Sequence, residues 1–67
     1  MAVEKRFYKH STEGYVVMKL YATNIKNSTH YFKNGSKADK SCMEGCVEIK
    51  KKKYNREMRK LKRDGNI

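Results

Sequence analysis

The stretch GCVEIKKKKYNREMRKLKR, residues 45–63, decides how this chain folds. Read as part of one continuous helix begun near Ser36, it places Gly45 mid-helix, at a cost of roughly 1 kcal/mol relative to Ala. Read in two parts, it opens with a short strand over roughly 46–50, in which Val47 and Ile49 alternate with polar neighbours. A helix then covers roughly 51–64. Its apolar positions, Tyr54, Met58 and Leu61, recur at helical spacing only after the lysine run, and Asp64-Gly65 puts a glycine at a natural stop. The two-part reading satisfies both patterns and leaves Gly45 where the strand begins, so it is preferred.

Working back along the chain, Val16, Met18, Leu20 and Ala22 alternate with Tyr15, Val17, Lys19 and Tyr21. Period-two alternation of β-branched and aromatic residues predicts a half-buried strand over roughly 15–23, with the first set inward. Arg6 to His10 belong to a second strand, roughly 5–10, joined through the turn-rich Ser11-Thr12-Glu13-Gly14. A turn from Asn24 to Ser28 leads to a third strand, roughly 29–33, which Asn34-Gly35 ends. Residues 35–45 read as an excursion or a short helical turn. The expected architecture is one α+β domain over 1–67: a small antiparallel sheet of three to four strands with one C-terminal helix packed on one face. Its core candidates are Phe7, Val16, Met18, Leu20, Phe32, Val47, Ile49, Tyr54, Met58 and Leu61. A chain this short buries only about 60% of its unfolded surface, so the core is thin and pairing into a homodimer would add burial.

Charge carries the functional signal. Seventeen Lys and Arg stand against seven Asp and Glu, for a net +10. From residue 50 onward nine cations face only Glu57 and Asp64, so this segment holds most of the excess. At about 100° per residue, Lys52, Arg56, Arg59 and Arg63 fall within about 40° of the pole opposite Tyr54. Like charges one turn apart cost about 0.2–0.5 kcal/mol per pair, and a polyanion would neutralise the row and release its counterions. The residues assigned to phosphate contact are therefore Lys52, Arg56, Arg59, Lys60 and Arg63.

The sheet offers a second group. With Phe7 and Phe32 inward, Tyr15, Lys19, Tyr21 and Tyr31 point outward. Aromatics interleaved with cations suit base stacking on single strands. Tyr also favours strands on structural grounds, and such a face can equally serve protein contact or self-association.

Other functions are disfavoured. The longest aliphatic run is Val16-Val17-Met18, too short for a membrane span or a signal-peptide core, so no membrane partner and a cytoplasmic location are expected. The glycosylation-like triplets Asn27-Ser28-Thr29 and Asn34-Gly35-Ser36 read as turns. Cys42 and Cys46, with His10 and His30, match no zinc framework and read as plain thiols, with no metal and no cofactor. Neither histidine has a nucleophile or orienting carboxylate at a recognisable spacing, so no catalytic residue is assigned. The expectation is a non-catalytic basic accessory protein that binds DNA or RNA mainly through the phosphate backbone. The alternative is a regulatory inhibitor or adaptor gripping an acidic surface of a larger protein machine, as small phage- or mobile-element-encoded proteins often do.

Overall fold

The alternating segments pair into a single antiparallel sheet. In the computed structural model, which describes residues 3–23 and 26–65, the strands are β1 (Val3–His10), β2 (Val16–Ala22), β3 (Ser28–Lys33), β4 (Ser36–Ala38) and β5 (Cys46–Ile49). Their order across the sheet is β4-β3-β2-β1-β5. A 3-10 turn at Lys40–Met43 precedes β5, and the helix α1 (Lys51–Arg63) follows it. The chain is thus α+β as expected, with the two-part reading of residues 45–63 upheld. The sheet has five strands rather than three to four. The extra one, β4, is three residues long and lacks a large apolar side chain, so no alternation marks it.

Turn chemistry explains β4. Asn34 and Gly35 both take positive φ, 51° and 86°, the geometry of a two-residue hairpin turn, and Lys33 pairs with Ser36. Asn34 also fastens the turn to β2: Val16 N donates to its Oδ1 at 3.1 Å, and its own N donates to Val16 O at 2.8 Å. Between β1 and β2, His10 Nδ1 accepts from the backbone N–H of Thr12 and of Glu13, at 3.2 and 2.9 Å, which shapes the Ser11–Gly14 loop. The expected turn from Asn24 lies partly outside the described residues. Its Lys26 and Asn27 both have positive φ, 52° and 49°.

Strand register decides which side chains share a face, because directly opposed antiparallel residues point the same way. Phe7 opposes Met18 and Ile49, and Met18 opposes Phe32. This is the face that α1 covers: the Tyr54 and Phe7 ring centroids are 4.7 Å apart, and Lys9 Nζ lies 3.0 Å from Glu57 Oε1. Met58 reaches the β3–β4 turn, where a Cβ on Gly35 would come within 3.1 Å of its Cε. The helix therefore crosses the sheet from mid-β1 toward that turn.

The opposite face is not open throughout. To pass from β4 at one edge to β5 at the other, residues 39–45 must cross it. Tyr15 Oη donates to Cys42 O at 2.8 Å, and Ser11 N and Oγ both donate to Gly45 O at 3.0 Å. As a result Val16 and Val17, adjacent in sequence and on opposite faces, are both 0% exposed. Val17 points away from the helix, as the alternation implies, and the crossover buries it there. Val47, expected in the core, is 57% exposed, because it lies on the edge strand β5 and α1 runs away from that corner. The other buried side chains among the described residues are Ala22, Cys42 and Tyr54, so the core is small.

The Lys9–Glu57 pair ties helix to sheet with both side chains largely shielded, at 31% and 15% exposure. The hydrogen bond from Lys9 holds the Glu57 carboxyl below its ordinary value, with Lys9 and Lys60 charges adding to it against the cost of burial. A carboxyl depressed in the folded state contributes stability above its unfolded pKa and loses it as pH falls through the folded value. Glu57→Gln is expected to cost about 1 kcal/mol at neutral pH and nearly nothing well below pH 4. Urea denaturation of both proteins at the two pH values checks this, and an equal gap at both would rule out the ion pair as its source.

Candidate nucleic-acid interface

The helix exists because Lys, Arg, Glu, Met and Leu are good helix formers and because Tyr54, Met58 and Leu61 give it one apolar stripe to bury. It stops at Asp64-Gly65, where Asp64 N donates to Lys60 O at 2.9 Å and Gly65 takes φ 78°. Its start is poorly capped: Lys50, the N-cap, makes no side-chain cap bond, and the first turn holds no acid. Three lysines at the positive end of the helix dipole oppose it, whereas Lys60, Lys62 and Arg63 in the last turn complement it. The cationic first turn is thus an electrostatic cost, relieved within the fold only in part, by Glu57 near Lys53.

Burial divides the helix in two. Tyr54, Glu57, Met58 and Leu61 are buried or half-buried, and every other residue from Lys51 to Arg63 is exposed. All five helix residues assigned from sequence, Lys52, Arg56, Arg59, Lys60 and Arg63, lie on that exposed side. Four of them, Arg56, Arg59, Lys60 and Arg63, line an open concavity of about 590 Å³. Within the helix the one carboxylate, Glu57, is turned inward and already paired with Lys9 and, at 3.7 Å, with Lys60.

The register adds cations that the sequence reading passed over. Lys5, Lys9 and Lys37 oppose Leu20, Val16 and Phe32, which puts them on the helix side of the sheet. Counting that sheet face with α1, eleven cations stand with Glu57 alone. The other sheet face and the 3-10 turn with its flanks hold Arg6, Lys19, Lys33 and Lys40 against Glu4, Asp39, Glu44 and Glu48. Of the remaining charges, Lys26 and Glu13 lie in turns and Lys50 caps the helix start, while Asp64, just past the helix end, lies 3.6 Å from Arg63. Most of the net charge of +10 therefore belongs to one side of the molecule.

The second predicted group lies on the far side. Lys19, Tyr21 and Tyr31 share a face with Tyr8, Arg6 and Glu48, and Tyr21 is 36% exposed. Arg6 bridges Glu4 and Glu48 at 2.8 and 3.2 Å, which holds the Glu4 carboxyl below its ordinary value. Tyr15 is engaged internally: its hydroxyl bonds Cys42 O, its ring stacks on His10 at 4.7 Å, and Lys33 Nζ sits 4.4 Å from its centre. The structure thus brings the five helix cations together and places Tyr15, Lys19, Tyr21 and Tyr31 apart from them, across the sheet.

The histidines and cysteines serve local structure. His10 caps its loop and packs against Gly45, where a Cβ would come within 2.7 Å of Nε2. His30 Nε2 lies 3.2 Å from Ser28 Oγ. Among the described residues no carboxylate hydrogen-bonds either ring. Cys42 and Cys46 are free thiols, with Cys46 Sγ donating to Cys42 O at 3.3 Å, and burial pushes both above the ordinary thiol value. No group of three His, Cys, Asp or Glu among the described residues is placed to hold a metal ion. No helix among them is long and apolar enough to cross a membrane.

Comparisons with protein-family models, with curated proteins and with solved structures returned no match.

Proposed function

We propose that this protein is a non-catalytic nucleic-acid-binding accessory factor that grips phosphates with the exposed side of α1. The supporting observation is the segregation of charge: eleven cations on the helix side against the inward-paired Glu57 and, past the helix end, Asp64, with balanced charge on the other side. A solvated helix face of ordinary origin carries both signs interspersed, because like charges one turn apart destabilise it. Here the uncapped cationic first turn compounds that cost. Both penalties are removed by a polyanion. The apolar stripe of the helix is used in packing on the sheet, so the same helix has no apolar face left to insert into a lipid surface.

Fluorescence anisotropy across a salt series tests the reading. Contacts from Lys52, Arg56, Arg59, Lys60 and Arg63 predict a slope of log K against log salt of about −4. A slope near zero, or no binding to any nucleic acid, would overturn it. Saturable capture of one acidic protein in that case would favour an adaptor that uses the same cations.

A further inference from the structure

We propose that the nucleic acid is duplex DNA and that α1 docks in its major groove. This deepens the nucleic-acid reading and rests on it. The argument starts from the width of the charged arc. On α1 the exposed residues span about 200° of the helix circumference at 100° per residue. Lys51 and Lys62 occupy one flank, Lys53 and Lys60 the other, and the crest between them carries Lys52, Arg56, Arg59 and Arg63, all exposed. A single phosphate strand needs one line of cations. Two flanks separated by a crest match two lines of phosphate with a groove between.

Dimensions agree. A helix with its side chains is about 10–12 Å across, and the major groove of B-DNA is about 12 Å wide. At 13 residues, α1 is about 20 Å long, enough to follow the groove for several base pairs. The sheet behind it holds Lys5 and Lys37, both exposed, on the same side, positioned toward the phosphate ridges once the helix is seated. The major groove of duplex RNA is deep and too narrow for side chains to read.

Single strands are disfavoured by what the helix lacks. Sequence-tolerant single-strand binding depends on aromatic rings on which bases stack. The one aromatic residue of α1, Tyr54, is buried against Phe7. Tyr8, Tyr21 and Tyr31 lie across the sheet on the charge-balanced face, beside Glu4 and Glu48. With the helix seated in the groove, Arg56 leans toward the Lys53 and Lys60 flank and Arg59 toward the Lys51 and Lys62 flank, so that their long side chains reach the phosphates on either side.

The test uses the full chain and one sequence prepared as duplex DNA, duplex RNA and single-stranded DNA, by anisotropy at a fixed salt concentration. Two further arms use duplex DNA with bulky substituents at C5 of its pyrimidines, which fill the major groove, and duplex DNA saturated with a minor-groove ligand. The expected result is duplex DNA bound at least about tenfold tighter than the other two forms, a loss of about tenfold with the substituted duplex, and no change with the minor-groove ligand. Equal binding to duplex RNA or to the single strand, indifference to the C5 substituents, or displacement by the minor-groove ligand overturns groove docking while leaving the nucleic-acid reading in place. Absence of salt-dependent binding to all of them overturns both.

Discussion

Arg56→Glu combined with Arg59→Glu is expected to weaken nucleic-acid binding by about 100-fold or more at about 0.1 M salt, with the fold intact. Each phosphate contact on a duplex contributes about 0.9 to the salt slope, a factor of roughly eight at that concentration. Losing two contacts removes about 60-fold, and two carboxylates that repel the same phosphates account for the rest. The slope itself should fall by about 2. The variant is a clean one because both side chains are exposed and make no ion pair among the described residues. A carboxylate at 56 stands one turn from Lys52 and from Lys60, and one at 59 stands one turn from Arg63. Repulsive pairs become attractive, each by about 0.2–0.5 kcal/mol, so the melting temperature should hold or rise. Anisotropy and a thermal melt on the same preparation check both halves. Unchanged affinity would move the site off the helix.

The largest stability effect is expected at Tyr54. It is the single buried residue of α1, 7% exposed, with its ring against Phe7. Truncating a buried aromatic to Ala typically costs 3–5 kcal/mol. For 67 residues at about 0.05–0.15 kcal/mol each, total stability is about 3–10 kcal/mol, so Tyr54→Ala removes a large share of it. Undocked, a helix with eight cations and one carboxylate repels itself and melts. Circular dichroism should therefore show loss of the helical signal together with a broadened or absent thermal transition. Tyr54→Phe should stay within about 0.5 kcal/mol of the parent, since the ring does the packing and the hydroxyl makes no hydrogen bond among the described residues. A stable, helical Tyr54→Ala protein would mean that the helix is held by something other than this contact.

Several features of the fold were legible because they are local. The alternation at residues 15–22, the Asn34-Gly35 turn and the Tyr54, Met58, Leu61 stripe all report short-range geometry, and each stands where the pattern placed it. Val17 lies on the face that the alternation gave it, but its burial was not legible, because its cover comes from residues 39–45, more than twenty positions downstream, and period-two alternation says nothing about what lies above a face. Val47 was misread for the converse reason. A four-residue strand with two apolar side chains does not reveal that it forms an edge, or which corner the helix leaves bare.

The candidate site divides in the same way. The helix row follows from the 100° period alone, so Lys52, Arg56, Arg59, Lys60 and Arg63 could be grouped before any tertiary contact was known. The flanking Lys51, Lys53 and Lys62 were visible on the same wheel and gain meaning only once the width of the arc is compared with a groove. That Lys5, Lys9 and Lys37 join them, while Glu4 and Glu48 fall on the other side, depends on strand register, which no single stretch of sequence encodes. The engagement of Tyr15 beneath Cys42 is likewise a long-range fact.

The position of β5 has one more consequence. It is the last strand described, yet it lies beside the first, and the Arg6–Glu48 pair joins residues 42 apart in the chain. The meander from β1 to β4 closes through short turns, whereas β5 must wait for the crossover to span the sheet, which makes its pairing entropically late. Segments that close late tend to open first, so β5 and α1 should breathe as a unit, leaving the outer edge of β1 without its partner while they are away. A polyanion that holds α1 in place would hold that edge closed as well. Amide protons along the outer edge of β1, across the sheet from the bound phosphates, would then exchange more slowly in the complex than in the free protein.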